Sequence, residues 1–136
     1  MNKYEQVLEY TIDNDYEGAE SVYKYLKHKR ELSITCQSNY IDIITNKTNK
    51  FFFKLYMHDG IDWEFYDYGY LQNNYFYALA SKILLFNIQN IEFKLSRRQD
   101  SVNHIIIEDN NISYLLYNPN YKIIDELFKY IHTKMI

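Results

Sequence analysis

The chain has 136 residues, a net charge of -3, a single cysteine and three glycines. Its length fits one domain, residues 1–136, able to bury roughly 65–70% of the surface that the unfolded chain exposes, so a core without staples is within reach. The lone Cys36 excludes an intramolecular disulfide and the thiolate pairs of zinc knuckles or redox motifs, Gly18, Gly60 and Gly69 lie too far apart to form a phosphate-cradling loop, and the acidic balance argues against a dedicated nucleic-acid binder.

The opening "MNKYEQVLEYTIDN" contains no apolar run, and no 18 consecutive apolar residues occur anywhere, which points to a cytoplasmic, reducing setting and no membrane insertion. Ile, Asn, Lys and Tyr are abundant, a bias that AT-rich codons alone would produce.

In chain order, residues 3–12 fit two patterns. Leu8, Tyr10 and Ile12 alternate as in a strand, while Tyr4, Leu8 and Thr11 mark a helix face. Residues 16–30 form a helix, because Asp13, Asn14 and Asp15 offer an N-cap and Ala19, Val22, Tyr23 and Leu26 recur at helical spacing. "LSITCQ" (32–37), "YIDIIT" (40–45), "FFFKLYM" (51–57) and "IDWEFYDY" (61–68) read as strands of an antiparallel meander, rich in β-branched and aromatic residues. Residues 74–86 return to helical spacing through Phe76, Leu79, Ala80 and Ile83. "IQNIEFKLS" alternates again as a strand, and "VNHIIIE" and "ISYLLY" flank an Asp109-Asn110-Asn111 turn to make a hairpin. Pro119 opens a last helix with Ile124, Leu127, Phe128, Ile131 and Met135 on one stripe. The fold class is α+β: an antiparallel sheet of hairpins packed with about three helices.

The stretch from Leu55 to Ser81 contains Asp59, Asp62, Glu64 and Asp67 but no Lys or Arg. A three-residue loop, His58-Asp59-Gly60, would oppose Met57 to Ile61, Leu55 to Trp63, Phe53 to Phe65 and Lys54 to Glu64, with Gly60 left-handed. That register puts Phe53, Leu55, Met57, Ile61, Trp63 and Phe65 in the core. The outer face then carries Asp62, Glu64, Tyr66, Tyr68 and, if the strand stays regular through Asp67 and Gly69, Tyr70. Tyrosine offers a large, rigid, amphipathic contact area at low entropic cost, and carboxylates beside it suit a basic partner. The plainer alternative is a structural face half-covered by the helix at 74–86.

Two basic groups are the other candidates. Lys27, Lys29 and Arg30 sit where a helix C-terminus favours cations in any case, and Arg97-Arg98 follow a strand as a phosphate contact or a solvated loop. The four histidines, His28, His58, His104 and His132, include no pair at metal-binding i, i+4 spacing, so neither metal nor cofactor is expected. His58 beside Asp59 and His104 near Glu108 are weak general-base candidates, and Cys36 reads as a buried thiol.

The reading that follows is a small non-enzymatic inhibitor whose acidic tyrosine face (Asp62, Glu64, Tyr66, Asp67, Tyr68, Tyr70) occludes the basic nucleic-acid-binding or catalytic groove of a protein partner. Anti-defence proteins of mobile elements, anti-CRISPR proteins among them, and immunity proteins that neutralise toxins act in this manner. The alternatives are a nucleotide- or RNA-binding module using aromatic stacking and Arg97 with Arg98, and a hydrolase or nuclease using His58 or His104. Pairing of a sheet edge with a second copy of the chain is a further option.

Overall fold

The computed structural model describes residues 3–13, 15–32, 34, 37–38, 40–41, 50–78, 83–88, 92–109 and 112–134. They gather into two compact units, Met1–Asn49 and Lys50–Ile136.

The first unit is helical. α1 spans Lys3–Ile12, which decides the ambiguous N-terminal pattern for helix. α2 spans Tyr16–His28. Asp15 caps α2, its Oδ1 accepting from Gly18 N at 3.0 Å. The chain leaves α2 through Arg30 in the left-handed region at φ 58°. The strands expected at 32–37 and 40–45 are not found where the chain is described, since Ile34, Gln37, Ser38, Tyr40 and Ile41 are all helical. Packing overrides composition here: Tyr40 is buried in a small core with Val7, Ala19 and Leu26, and its ring stacks on Tyr23 at 4.1 Å. Cys36 lies outside the described residues.

The second unit is an antiparallel sheet with one helix. Its strands are β1 (Lys50–His58), β2 (Trp63–Gln72), β3 (Tyr75–Ala78), β4 (Ile83–Asn87), β5 (Lys94–Arg97), β6 (His104–Asp109) and β7 (Ile112–Tyr117). They form one seven-stranded sheet in the order β4-β3-β2-β1-β7-β6-β5. Two meanders, β1 to β4 and β5 to β7, are thus joined where β1 pairs with β7. The helix expected at 74–86 is instead the β3–β4 hairpin in its described residues. There Phe76 and Ala78 are buried while Tyr75 and Tyr77 are not, a period of two that helical spacing through Phe76 and Ile83 had masked. The strand expected at 88–96 shortens to β5, with Ile88 in a turn.

α3 spans Tyr121–Lys134. Its start is set by Asn120, whose Oδ1 accepts from Lys122 N at 3.1 Å, two residues beyond the expected Pro119. Ile124, Leu127 and Ile131 are fully buried against Phe53, Leu55, Leu71, Phe76, Ile105, Ile107 and Leu116 of the sheet. Met135 lies outside the described residues.

The β1–β2 register departs from the expected one. His58 pairs with Trp63, so the loop is Asp59–Asp62, and Leu55 stands opposite Asp67, Phe53 opposite Gly69 and Lys54 opposite Tyr68. Gly60 has positive φ, 98°, as anticipated. A bulge between Leu55 and Tyr56 leaves Tyr66 as the extra residue on β2 and shifts every side chain beyond it. Phe53 and Leu55 therefore belong to the core and Met57 packs against it. Ile61 is instead 91% exposed and Phe65 40% exposed, and Trp63 is half-buried with its indole against the His58 ring.

Candidate interaction surface

The β1–β2 loop is organised by one carboxylate. Asp59 Oδ1 accepts from Ile61 N and from Asp62 N, both at 2.8 Å, and Asp59 N donates to Asp62 O at 3.1 Å. Gly60 N donates to His58 Nδ1 at 3.0 Å, so His58 closes the loop from the other side. Asp62 Oδ1 then accepts from Trp63 N at 2.7 Å. These bonds satisfy backbone groups within the turn and hold Ile61 in the loop, where its side chain stands in solvent.

Charge accumulates at this tip. The backbone amides of Asp62 and Ile61 hold the Asp59 carboxyl below its ordinary range. Glu64 is pushed the other way, above its ordinary value, by a hydrogen bond to Asp59 and by the charges of Asp59 and Asp62. The same hairpin end carries Ile61, Asp59, Asp62 and Glu64, all exposed, and Phe65 and Tyr66 (46% exposed) follow on β2.

The residues expected to form a single outer row are divided by the bulge. Asp62, Glu64 and Tyr66 are exposed. Asp67 and Tyr68 are buried, Asp67 because it faces the same side as Leu55. Tyr70 is half-buried and stacks on Tyr77 at 4.9 Å. The face bearing Tyr68 and Tyr70 is an aromatic packing layer: Phe65 meets Tyr56 at 5.8 Å and Tyr68 at 5.1 Å, and Phe52 meets Tyr70 at 5.8 Å. Sequence reasoning missed Ile61 and Phe65 as surface groups. The signal was Asp59 itself, a residue that caps a four-residue loop as readily as it fills a shorter one.

Of the basic candidates, Lys27, Lys29 and Arg30 belong to the first unit, and Arg97 and Arg98 to the second. Lys27, Lys29 and Arg30 are exposed at the end of α2, with Lys27 over the Tyr23 ring at 5.9 Å and Lys29 over Tyr25 at 5.9 Å. Arg97 is held in place: Nη1 reaches Asp125 Oδ1 at 2.9 Å, Nη2 donates to Val102 O at 2.6 Å, and the guanidinium lies 5.3 Å from the Phe128 ring centroid. Arg98 pairs with Asp100 at 2.9 Å. Both arginines thus already face a carboxylate.

His104 Nδ1 meets Ser101 Oγ at 2.5 Å, and its ring packs on Tyr117 at 5.0 Å. Burial first, then the charge of Arg98, holds it below the ordinary histidine value, against the pull of Asp100. The Ser101 hydroxyl also accepts from Asn103 N at 3.2 Å, so the serine and histidine close a local turn. Among the described residues no group of three or more His, Cys, Asp or Glu side chains is placed to hold a metal, and no helix is long and apolar enough to cross a membrane. No family model, curated protein or solved structure matches the chain.

Proposed function

We propose that this α+β protein is a small non-enzymatic binding protein that engages a basic surface of another protein through the β1–β2 hairpin tip. One observation carries the reading: Ile61, 91% exposed, shares the end of the β1–β2 hairpin with exposed Asp59, Asp62 and Glu64 and with Tyr66, in a stretch without a lysine or arginine. An exposed aliphatic side chain gains about 1.5–3 kcal/mol when fully buried, and carboxylates around it orient a cationic partner and speed its approach. The mechanism we assign is occlusion, with the tip seated in a basic groove that otherwise holds nucleic acid or substrate. Inhibitors used in competition between mobile elements and their hosts, and immunity proteins against toxins, are the classes that fit a compact, acidic, motif-free chain.

The test is a pair of substitutions chosen from exposure. Ile61→Ser with Tyr66→Ala should abolish capture of a protein partner from nuclease-treated lysate and leave the thermal melt within about 2–4 °C of wild type, because neither side chain is in the core. Capture that survives both substitutions takes the tip out of the mechanism.

A further inference from the structure

A single hairpin tip is too small to supply a specific interface, which needs roughly 800 Å² from each partner. The register of the sheet places a second tip beside the first. Met57 of β1 stands opposite Tyr114 of β7, so the next level carries His58 and Ser113. Ser113 faces Glu108 of β6, and His58 faces Trp63 of β2. Strands β2, β1, β7 and β6 are consecutive in the sheet and reach the same level, with the β1–β2 loop and the Asp109–Ile112 pair of β6 and β7 both just beyond it. At about 4.8 Å between neighbouring strands, the axes of the two hairpins are about 10 Å apart.

The second tip has the character of the first. Glu108 is exposed, Asp109 half-exposed and Ile112 is 42% exposed. The hydroxyl of Tyr114 is held above its ordinary value by burial first, then by Asp109 and by Tyr66, so groups from both hairpins act on one another at this end. Together the tips bring Asp59, Asp62, Glu64, Glu108 and Asp109 to one end of the sheet, with Lys94 opposite Glu108 as the lysine or arginine that the described pairings add there. A separation of about 10 Å is one Debye length at 0.1 M salt, so an approaching cation meets the sum of both sets of charges. The polar and aromatic contacts of α3 with Arg97, Phe51 and Asn73 fall toward the other end of the sheet: Asp125 on Arg97, Tyr130 on Phe51 at 5.4 Å and on Asn73 O at 2.6 Å.

We propose that the two hairpin tips form one composite docking surface for a lysine- and arginine-rich protein surface, with Ile61, Tyr66 and Ile112 as apolar anchors among the five carboxylates. The inference rests on the hairpin reading above and adds to it Glu108, Asp109 and Ile112, none of which that reading requires. The partner it fits presents cations around an apolar depression wide enough to take both tips.

The test is an amide NMR titration of the full chain with a defined probe, a synthetic peptide of alternating arginine and leucine, at low and at high salt. The expected result is that the amides of Ile61, Asp62 and Glu64 and those of Glu108, Asp109 and Ile112 shift together with one dissociation constant that weakens as salt is raised. Shifts at the first set alone overturn the composite surface and leave the single-hairpin reading standing. Shifts at neither set overturn both. Ile112→Lys should weaken the peptide roughly tenfold. Tyr121→Lys adds the same charge at the exposed start of α3 and should leave affinity unchanged. Equal losses in the two variants would mean that net charge, not this surface, governs binding, and would overturn the proposal.

Discussion

Gly69 lies in the middle of β2 between Phe53 on β1 and Ala78 on β3, and it decides whether the sheet can close over its core. A Cβ at this position would stand 2.7 Å from Phe53 Cε1, 2.7 Å from the carbonyl oxygen of Tyr77 and 3.2 Å from Phe53 Cζ. The aromatic ring is fully buried in the main core and the carbonyl belongs to a paired strand, so neither neighbour yields freely. Two effects compete in Gly69→Ala. Restricting the unfolded chain favours alanine by about 0.4–1 kcal/mol, since Gly69 is not at positive φ, while overpacking of this kind costs about 1–3 kcal/mol. The clash wins, for a net loss of about 0.5–2 kcal/mol, or roughly 2–7 °C in Tm for a chain of this length. Trp63 is the only tryptophan and sits on the same strand, so its fluorescence in a urea titration reports the loss directly. Phe53→Leu in the Gly69→Ala background should recover part of the loss, because the Tyr77 carbonyl remains. A Gly69→Ala protein as stable as wild type, or more so, would refute the packing described for β1, β2 and β3.

Three further outcomes are expected. Tyr66→Ala should change stability by no more than about 0.5 kcal/mol, whereas Tyr68→Ala, a fully buried ring two residues away, should cost about 3–5 kcal/mol; similar losses in denaturant melts would contradict the bulge. Arg97→Ala should destabilise by about 1–2 kcal/mol through lost packing on Phe128 and the lost bond to Val102 O. A double-mutant cycle with Asp125→Ala should assign only about 0.2–1 kcal/mol to the half-exposed ion pair itself, and a larger coupling would show that solvent does not screen it. At the tip, Asp59→Asn should lower the Glu64 carboxyl toward its ordinary value in a side-chain NMR titration, with Asp62 still holding it up in part, and an unmoved Glu64 would separate the two carboxyls. The signs oppose. The lowered Asp59 contributes stability above its unfolded value that is lost as pH falls through the folded one, while the raised Glu64 contributes stability at low pH that is lost as pH rises through its folded value.

The class of fold was legible because it depends on patterns that local packing does not overturn. β6, β7 and α3 were each marked by unbroken or periodic apolar runs, and Leu115 and Leu116 are both buried as strands covered on two faces should be. The β3–β4 hairpin was not legible, because Phe76 and Ile83 are spaced as on a helix and strand pairing is a long-range event that no short window contains. The helical residues Ile34, Gln37, Ser38, Tyr40 and Ile41 were missed for the converse reason: β-branched composition suggested strands, and the stacking of Tyr40 on Tyr23 is not visible in the local pattern. The candidate surface was half legible. Its charge could be counted along the chain, but the four-residue loop left Ile61 in solvent, a single inserted residue at Tyr66 put Phe65 on the face that bears Tyr68, and the ring packing that accompanies the burial of Tyr68 on that face is not visible in the local pattern. That two hairpin tips share one end of the sheet follows from the β1–β7 pairing, which joins residues far apart in the chain.

Whether this chain binds a basic protein through an acidic, apolar-centred tip is decided by a tagged pull-down from the natural host's lysate with and without nuclease, followed by mass spectrometry. The expected result is one stoichiometric, basic protein that is retained after nuclease treatment, weakened by salt and lost with Ile61→Ser and Tyr66→Ala. Nucleic acid in the eluate, with the captured proteins lost on nuclease treatment, would contradict it and move the function to Lys27, Lys29, Arg30, Arg97 and Arg98.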